Sequence, residues 1–125
     1  MYTPKLIDYG KNPRNVGEIA NPDGVATAAS KVDGDMVTMF LRIQDSNIQD
    51  VKVKVYGCLA AKAACSIMTE LAKGKKVEEA LRLSREDVSR ALGGLHKLKM
   101  HVAELAEECL HAAIEDYLAK RTRKP

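Results

Sequence analysis

The repeat length of the apolar residues changes at Gly57, and that change restricts the folds open to this chain. Before it, Val51, Val53 and Val55 alternate with Lys52 and Lys54. This is the two-residue period of a strand buried on one face. After it, Ala60, Ala64, Ile67, Met68 and Leu71 recur at helical spacing as far as Gly74, which closes the helix. A second alternating run, with Val37, Met39, Leu41 and Ile43 on one side, precedes the first. Asp45-Ser46-Asn47 supplies a hairpin between the two runs, and residues 25–32 are expected to add a third strand. The remaining signals are helical. Pro4 to Tyr9 opens the chain with a short helix. Segments 77–82 and 85–92 follow Gly74, the second with Ser84 and Asp87 spaced as a capping box. The last helix carries a continuous stripe: Val102, Leu105, Ala106, Cys109, Leu110, Ala113, Ile114, Tyr117 and Leu118. Strands first and helices afterwards predict an α+β fold, a small antiparallel three-stranded sheet with helices on one face and a long C-terminal helix.

With 125 residues the chain is read as one domain, 1–125, large enough to need no covalent staples. Aromatics are scarce, four Tyr and one Phe without Trp, so the core must be aliphatic. The charge is +3 from 20 basic and 17 acidic residues. Lys120, Arg121, Arg123 and Lys124 read as a solvated tail, and no nucleic-acid motif accompanies them. No apolar run approaches the ~18 residues of a membrane span, and the first twenty residues hold no apolar signal region. An odd count of three cysteines, Cys58, Cys65 and Cys109, argues against a disulfide framework and for the reducing cytoplasm.

Cys58 is the first candidate for chemistry. It follows a strand and a Gly turn and starts a helix, where the macrodipole and free N–H groups favour thiolate. Cys65 lies seven residues on, roughly 10 Å away along a helix, too far for one metal to take both. It reads as core, as does Cys109 in the last helix. Asp33-Gly34-Asp35 precedes a strand and on its own is an ordinary turn. His101 opens the last helix; His96 and His111 read as surface residues. No nucleophilic triad, phosphate loop or CxxC pair is present, so the chain is not read as an enzyme.

Together these fragments resemble one family. Asn12-Pro13-Arg14-Asn15-Val16-Gly17, Gly34-Asp35 before a strand, Tyr56-Gly57-Cys58, and Lys99-Met100-His101 followed by Leu105-Ala106-Glu107 stand in the order of the U-type iron–sulfur cluster assembly scaffolds, IscU or the N-terminal domain of NifU. The resemblance runs from about residue 3 to 121. It implies a protein that receives sulfur from a cysteine desulfurase, gathers iron, and passes a cluster to apo iron–sulfur client proteins. Carried over by position, the family's aspartate is Asp35, its middle cysteine Cys58 and its histidine His101.

Departures from the pattern fall on the ligands. The first cysteine position is Asp33 and the third is Val102. The segment read by the family's Hsp70-type chaperone is Leu95-His96-Lys97-Leu98-Lys99 here. Both its prolines are gone, so the resemblance does not carry that contact over. The implied metal set is then Asp33, Asp35, Cys58 and His101. It suits iron or, in its place, zinc, and suits a cluster less well. Cys58 is expected to ligate the iron–sulfur cluster or accept persulfide sulfur. A homodimer sharing one cluster through two copies of Cys58 stays open. So does a cluster-free paralogue acting as an interaction or regulatory module for a cysteine desulfurase.

Overall fold

The computed structural model describes residues 2–122, so Arg123 and Lys124 of the expected tail lie outside the described residues. Helix α1 (Pro4–Lys11) starts where Thr3 accepts a hydrogen bond from Leu6 N–H, with Pro4 at its first position. The turn-rich stretch that follows is an ordered loop. Asn15 C=O accepts from Val53 N–H and Gly17 N–H donates to Val53 C=O, at 2.9 and 3.0 Å. Ser66 Oγ and Thr69 Oγ1 accept from Arg14 N–H and the Asn15 amide, at 2.6 and 2.8 Å. The Asn-Pro-Arg-Asn sequence thus fastens the loop across one sheet edge and one helix.

Strands β1 (Gly24–Ala29), β2 (Met36–Gln44) and β3 (Asn47–Tyr56) form an antiparallel sheet in the order β1-β2-β3. The first strand ends at Ala29, short of the expected 25–32; Ser30 N–H still donates to Asp35 C=O in the same register, at 2.8 Å, and closes the loop of residues 31–34. Asp45 and Ser46 take the left-handed φ values of 53° and 64° that a two-residue hairpin of this twist demands. Register shifts between Arg42 and Ile43, leaving Gln49 without a partner. This bulge lets Ile48 and Val51, three residues apart, both face inward.

Helix α2 (Leu59–Ala72) runs through the middle of the protein, with Ala60, Ala64, Cys65, Ser66, Met68 and Thr69 all buried. Leu71, assigned to its apolar face, is only half-buried. Short helices α3 (Val77–Ala80) and α4 (Arg85–Ala91) follow, the latter closed by the Ser84–Asp87 capping box. A 3-10 turn at Lys97–Lys99 leads into α5 (Met100–Thr122). This helix packs on β1, β2, α2 and α4, with Val102, Leu105, Ala106, Cys109, Leu110, Ala113 and Ile114 buried. Its approach to the sheet is close enough that a Cβ at Gly24 would meet Ala113 C=O at 2.4 Å. One hydrophobic core therefore lies between the sheet and α2 plus α5. The opposite sheet face carries half-buried Thr38, Phe40, Arg42 and Lys52 and exposed Lys54.

Candidate functional site

The β2–β3 register creates the site. Met36 pairs with Tyr56, so the residue before β2 must lie beside the two residues after β3. That places Asp35 against Gly57 and Cys58. Asp35 is only 7% exposed, yet its carboxylate is partnered twice. Oδ1 accepts from Cys58 N–H and Oδ2 accepts from the Cys58 thiol, both at 3.2 Å. Gly57 makes this approach possible, since a Cβ there would stand 2.4 Å from Asp35 Oδ1.

Cys58 is the N-cap of α2, and its sulfur accepts from Ala61 N–H at 3.4 Å. The helix terminus alone favours thiolate, but the surroundings reverse the outcome. Burial is the largest influence and pushes the Cys58 thiol up. Asp35 adds to the rise, while Ala61 N–H and the Lys99 ammonium act against it. The expectation of a thiolate-favoured resting cysteine is corrected accordingly: Cys58 rests as a thiol bonded to Asp35.

Asp33 sits on the loop wall. Ser30 Oγ accepts from the N–H groups of Val32 and Asp33, and Asp33 Oδ1 accepts from Asp35 N–H at 3.1 Å. That backbone N–H, before any other influence, lowers the Asp33 carboxyl below its ordinary range. Its second oxygen lies 3.1 Å from His101 Nε2 at the start of α5. Asp33, Asp35 and Cys58 thus each offer a ligand atom within 4.8 Å of the others. A tetrahedral ion with bonds of about 2.0–2.3 Å needs its donors about 3.3–3.8 Å apart, so modest side-chain motion closes the set. His101 stands behind Asp33 and touches the group through it.

The other cysteines take no part. Cys65 and Cys109 are fully buried; burial drives the Cys65 thiol far up and pushes Cys109 up to about 12. Val102, at the position where the family resemblance places a third cysteine, is also fully buried. His96 caps the 3-10 turn at the surface as expected. His111 does not fit its surface assignment: half-buried, its Nε2 lies 2.9 Å from Leu83 C=O.

Two residues quoted within the resemblance motifs without a role of their own, Lys99 and Gly57, also shape the site. The Lys99 ammonium, held up by the Tyr2 hydroxyl beside it, is felt at both Cys58 and Asp33. Gly57, read as a strand breaker and as part of the Tyr56-Gly57-Cys58 turn, makes room for Asp35 by its lack of a side chain. Exposed apolar side chains stand next to the site in sequence: Val32 beside Asp33, Met36 beside Asp35, and Tyr56 before Gly57. Met36 and Tyr56 line a shallow hollow with Val16 and Val55.

With this geometry described, comparison with known proteins gives a consistent result. The NifU-like N terminal domain family matches over residues 1–124. The iron-sulfur cluster assembly scaffold protein IscU 1 of Archaeoglobus fulgidus is 48% identical over 120 residues, covering 96% of this chain and 78% of that one. The scaffold protein IscU of Escherichia coli K12 is 38% identical, covering 98% of both chains. Among solved structures, the NifU-like N-terminal protein of Brucella abortus superposes with a TM-score of 0.77 at 24% identity, covering 94% of each chain. That likeness bears on the fold alone.

Proposed function

The chain belongs to the NifU-like N terminal domain family, and on that premise we propose that it is an iron–sulfur cluster assembly scaffold-like protein that gathers iron and accepts sulfur at Cys58. It acts as a single domain in the cytoplasm, as a carrier and not as an enzyme. The observation that carries this reading is the convergence of Asp33, Asp35 and Cys58 around the one cysteine that is not fully buried.

Sulfur acceptance needs no oxidant. The Cys58 sulfur attacks the outer sulfur of a donor persulfide. A new S–S bond forms on Cys58 as the donor's S–S bond breaks, and the donor cysteine leaves as thiolate. The proton leaving Cys58 passes along the existing hydrogen bond to Asp35 and ends on the departing thiolate. Donor persulfide and Cys58 thiol thus become donor thiol and Cys58 persulfide. A cysteine desulfurase is the donor and apo iron–sulfur proteins are the recipients. The apolar hollow beside Tyr56 supports docking of the donor at this end of the sheet. Residues 95–99 lack the two prolines of the chaperone segment, so Hsp70-assisted transfer is not part of this proposal.

The second reading is a cluster-free module that regulates a desulfurase, and the burial of Val102 favours it. Sulfur transfer separates the two. The chain is incubated with a desulfurase and cysteine, and intact mass is recorded beside Cys58→Ala. A one-sulfur mass increment that disappears in the variant supports acceptance at Cys58. An unmodified parent chain supports the regulatory module.

A further inference from the structure

The family implies an iron–sulfur cluster as cargo, and the donor set of this chain does not match one. A sulfide-bridged cluster takes thiolate ligands, with four protein ligands for a two-iron core. One chain offers a single available thiol. Cys65 and Cys109 are fully buried, and Cys109 donates to the carbonyls of Ala26 and Val37 within the core. Val102 brings no ligand atom and its side chain is fully buried.

The donors that do converge are two carboxylates and one sulfur. Mixed oxygen and sulfur donors suit one borderline ion, Zn²⁺ or Fe²⁺, with water completing a tetrahedron. The arrangement behind them fits the same demand. His101 Nε2 lies 3.1 Å from Asp33 Oδ2, and such an outer partner orients a ligating carboxylate. Asp33 Oδ1 is fixed by Asp35 N–H, and both Asp35 oxygens are aimed at Cys58. Bound metal would take the sulfur as thiolate and release its proton.

Resting on the reading of Cys58 as the iron and sulfur site, we infer that Asp33, beside the single available thiol, is the specificity-determining residue that sets this site for one mononuclear divalent ion, Zn²⁺ or Fe²⁺, in place of a sulfide-bridged cluster.

The test is anaerobic reconstitution of the full chain with ferrous iron, sulfide and thiol. After desalting, iron, acid-labile sulfide and molecular mass are measured, beside a Zn²⁺ titration against a chromophoric chelator. The expected result is one metal ion per chain, no retained sulfide, and loss of metal in Cys58→Ala. Asp33→Cys, which adds a thiolate at an exposed loop position beside Cys58, should retain acid-labile sulfide where the parent retains none. Equal iron and sulfide on the parent chain, as monomer or as dimer, would overturn the inference. So would an Asp33→Cys variant that holds no more sulfide than the parent. Sulfur transfer to Cys58 with no metal retained would overturn it while leaving sulfur acceptance at Cys58 standing; failure of both would remove the two together.

Discussion

Gly57→Ala is a minimal change with a calculable consequence. The added Cβ would stand 2.4 Å from Asp35 Oδ1, 2.5 Å from its Cγ and 2.9 Å from its Cβ. Ordinary contact begins near 3.4 Å, so the carboxylate must retreat by about 1 Å. Its bonds to Cys58 N–H and Sγ already measure 3.2 Å, and that retreat takes both beyond hydrogen-bonding range. Losing bonds to a buried charged acceptor costs about 1.5–3 kcal/mol. Alanine returns roughly 0.4–1 kcal/mol by restricting the unfolded chain, because Gly57 is not among the left-handed glycines. A net loss of about 1–2 kcal/mol follows, which lowers the melting temperature by roughly 3–10 °C for a chain of this size. The assay is urea unfolding of Gly57→Ala in the parent and in an Asp35→Ala background. Asp35→Ala removes the two nearest contacts, so the cost of Gly57→Ala should fall by more than half there. An equal cost in both backgrounds would refute the argument that Asp35 is what the glycine accommodates.

Further expectations concern thiols, acid and packing. One thiol per native chain, Cys58, should react with a disulfide reagent, more slowly than a free thiol because its pKa is pushed up, and all three should react in denaturant; labelling of Cys65 or Cys109 as early as Cys58 would contradict their burial. Arg85 bonds Glu107 across α4 and α5 and holds its carboxyl below the usual range. A carboxyl lowered on folding stabilises above its unfolded pKa of about 4.3, and that contribution fades as pH falls through the folded value. Glu107→Gln should therefore flatten the acid side of the stability profile while leaving its alkaline side unchanged in slope. Ser84→Ala removes the cap of α4 and should cost about 1 kcal/mol in urea titration. Leu110→Ala opens the core beneath the sheet and should cost about 2–5 kcal/mol by the same measure.

Much of the fold was legible because local chemistry and global structure agree. Alternating valines beside lysines admit a half-buried strand, and the Ser84–Asp87 pair caps the helix it was read to cap. The end of the first strand at Ala29 is not legible locally, since Ser30 N–H still bonds Asp35 C=O in the register of the ladder. His111 was misplaced for a similar reason: its partner, the Leu83 carbonyl, is 28 residues away in sequence.

By itself the sequence determined the change of period at Gly57, the order of strands before helices, and the presence of Asp33 and Val102 where the resemblance places the first and third cysteines. Those are properties of single residues and their neighbours along the chain. Tertiary structure decided what the site residues do to each other. Pairing of Met36 with Tyr56 brings Asp35 onto Cys58 from 23 residues away. Packing buries the thiol enough to override the helix terminus that favours its ionisation. The start of α5 sets His101 against Asp33 across 68 residues. Desolvation and hydrogen bonding act through space over a few ångströms, so they exist only once sheet register and helix packing have set those distances.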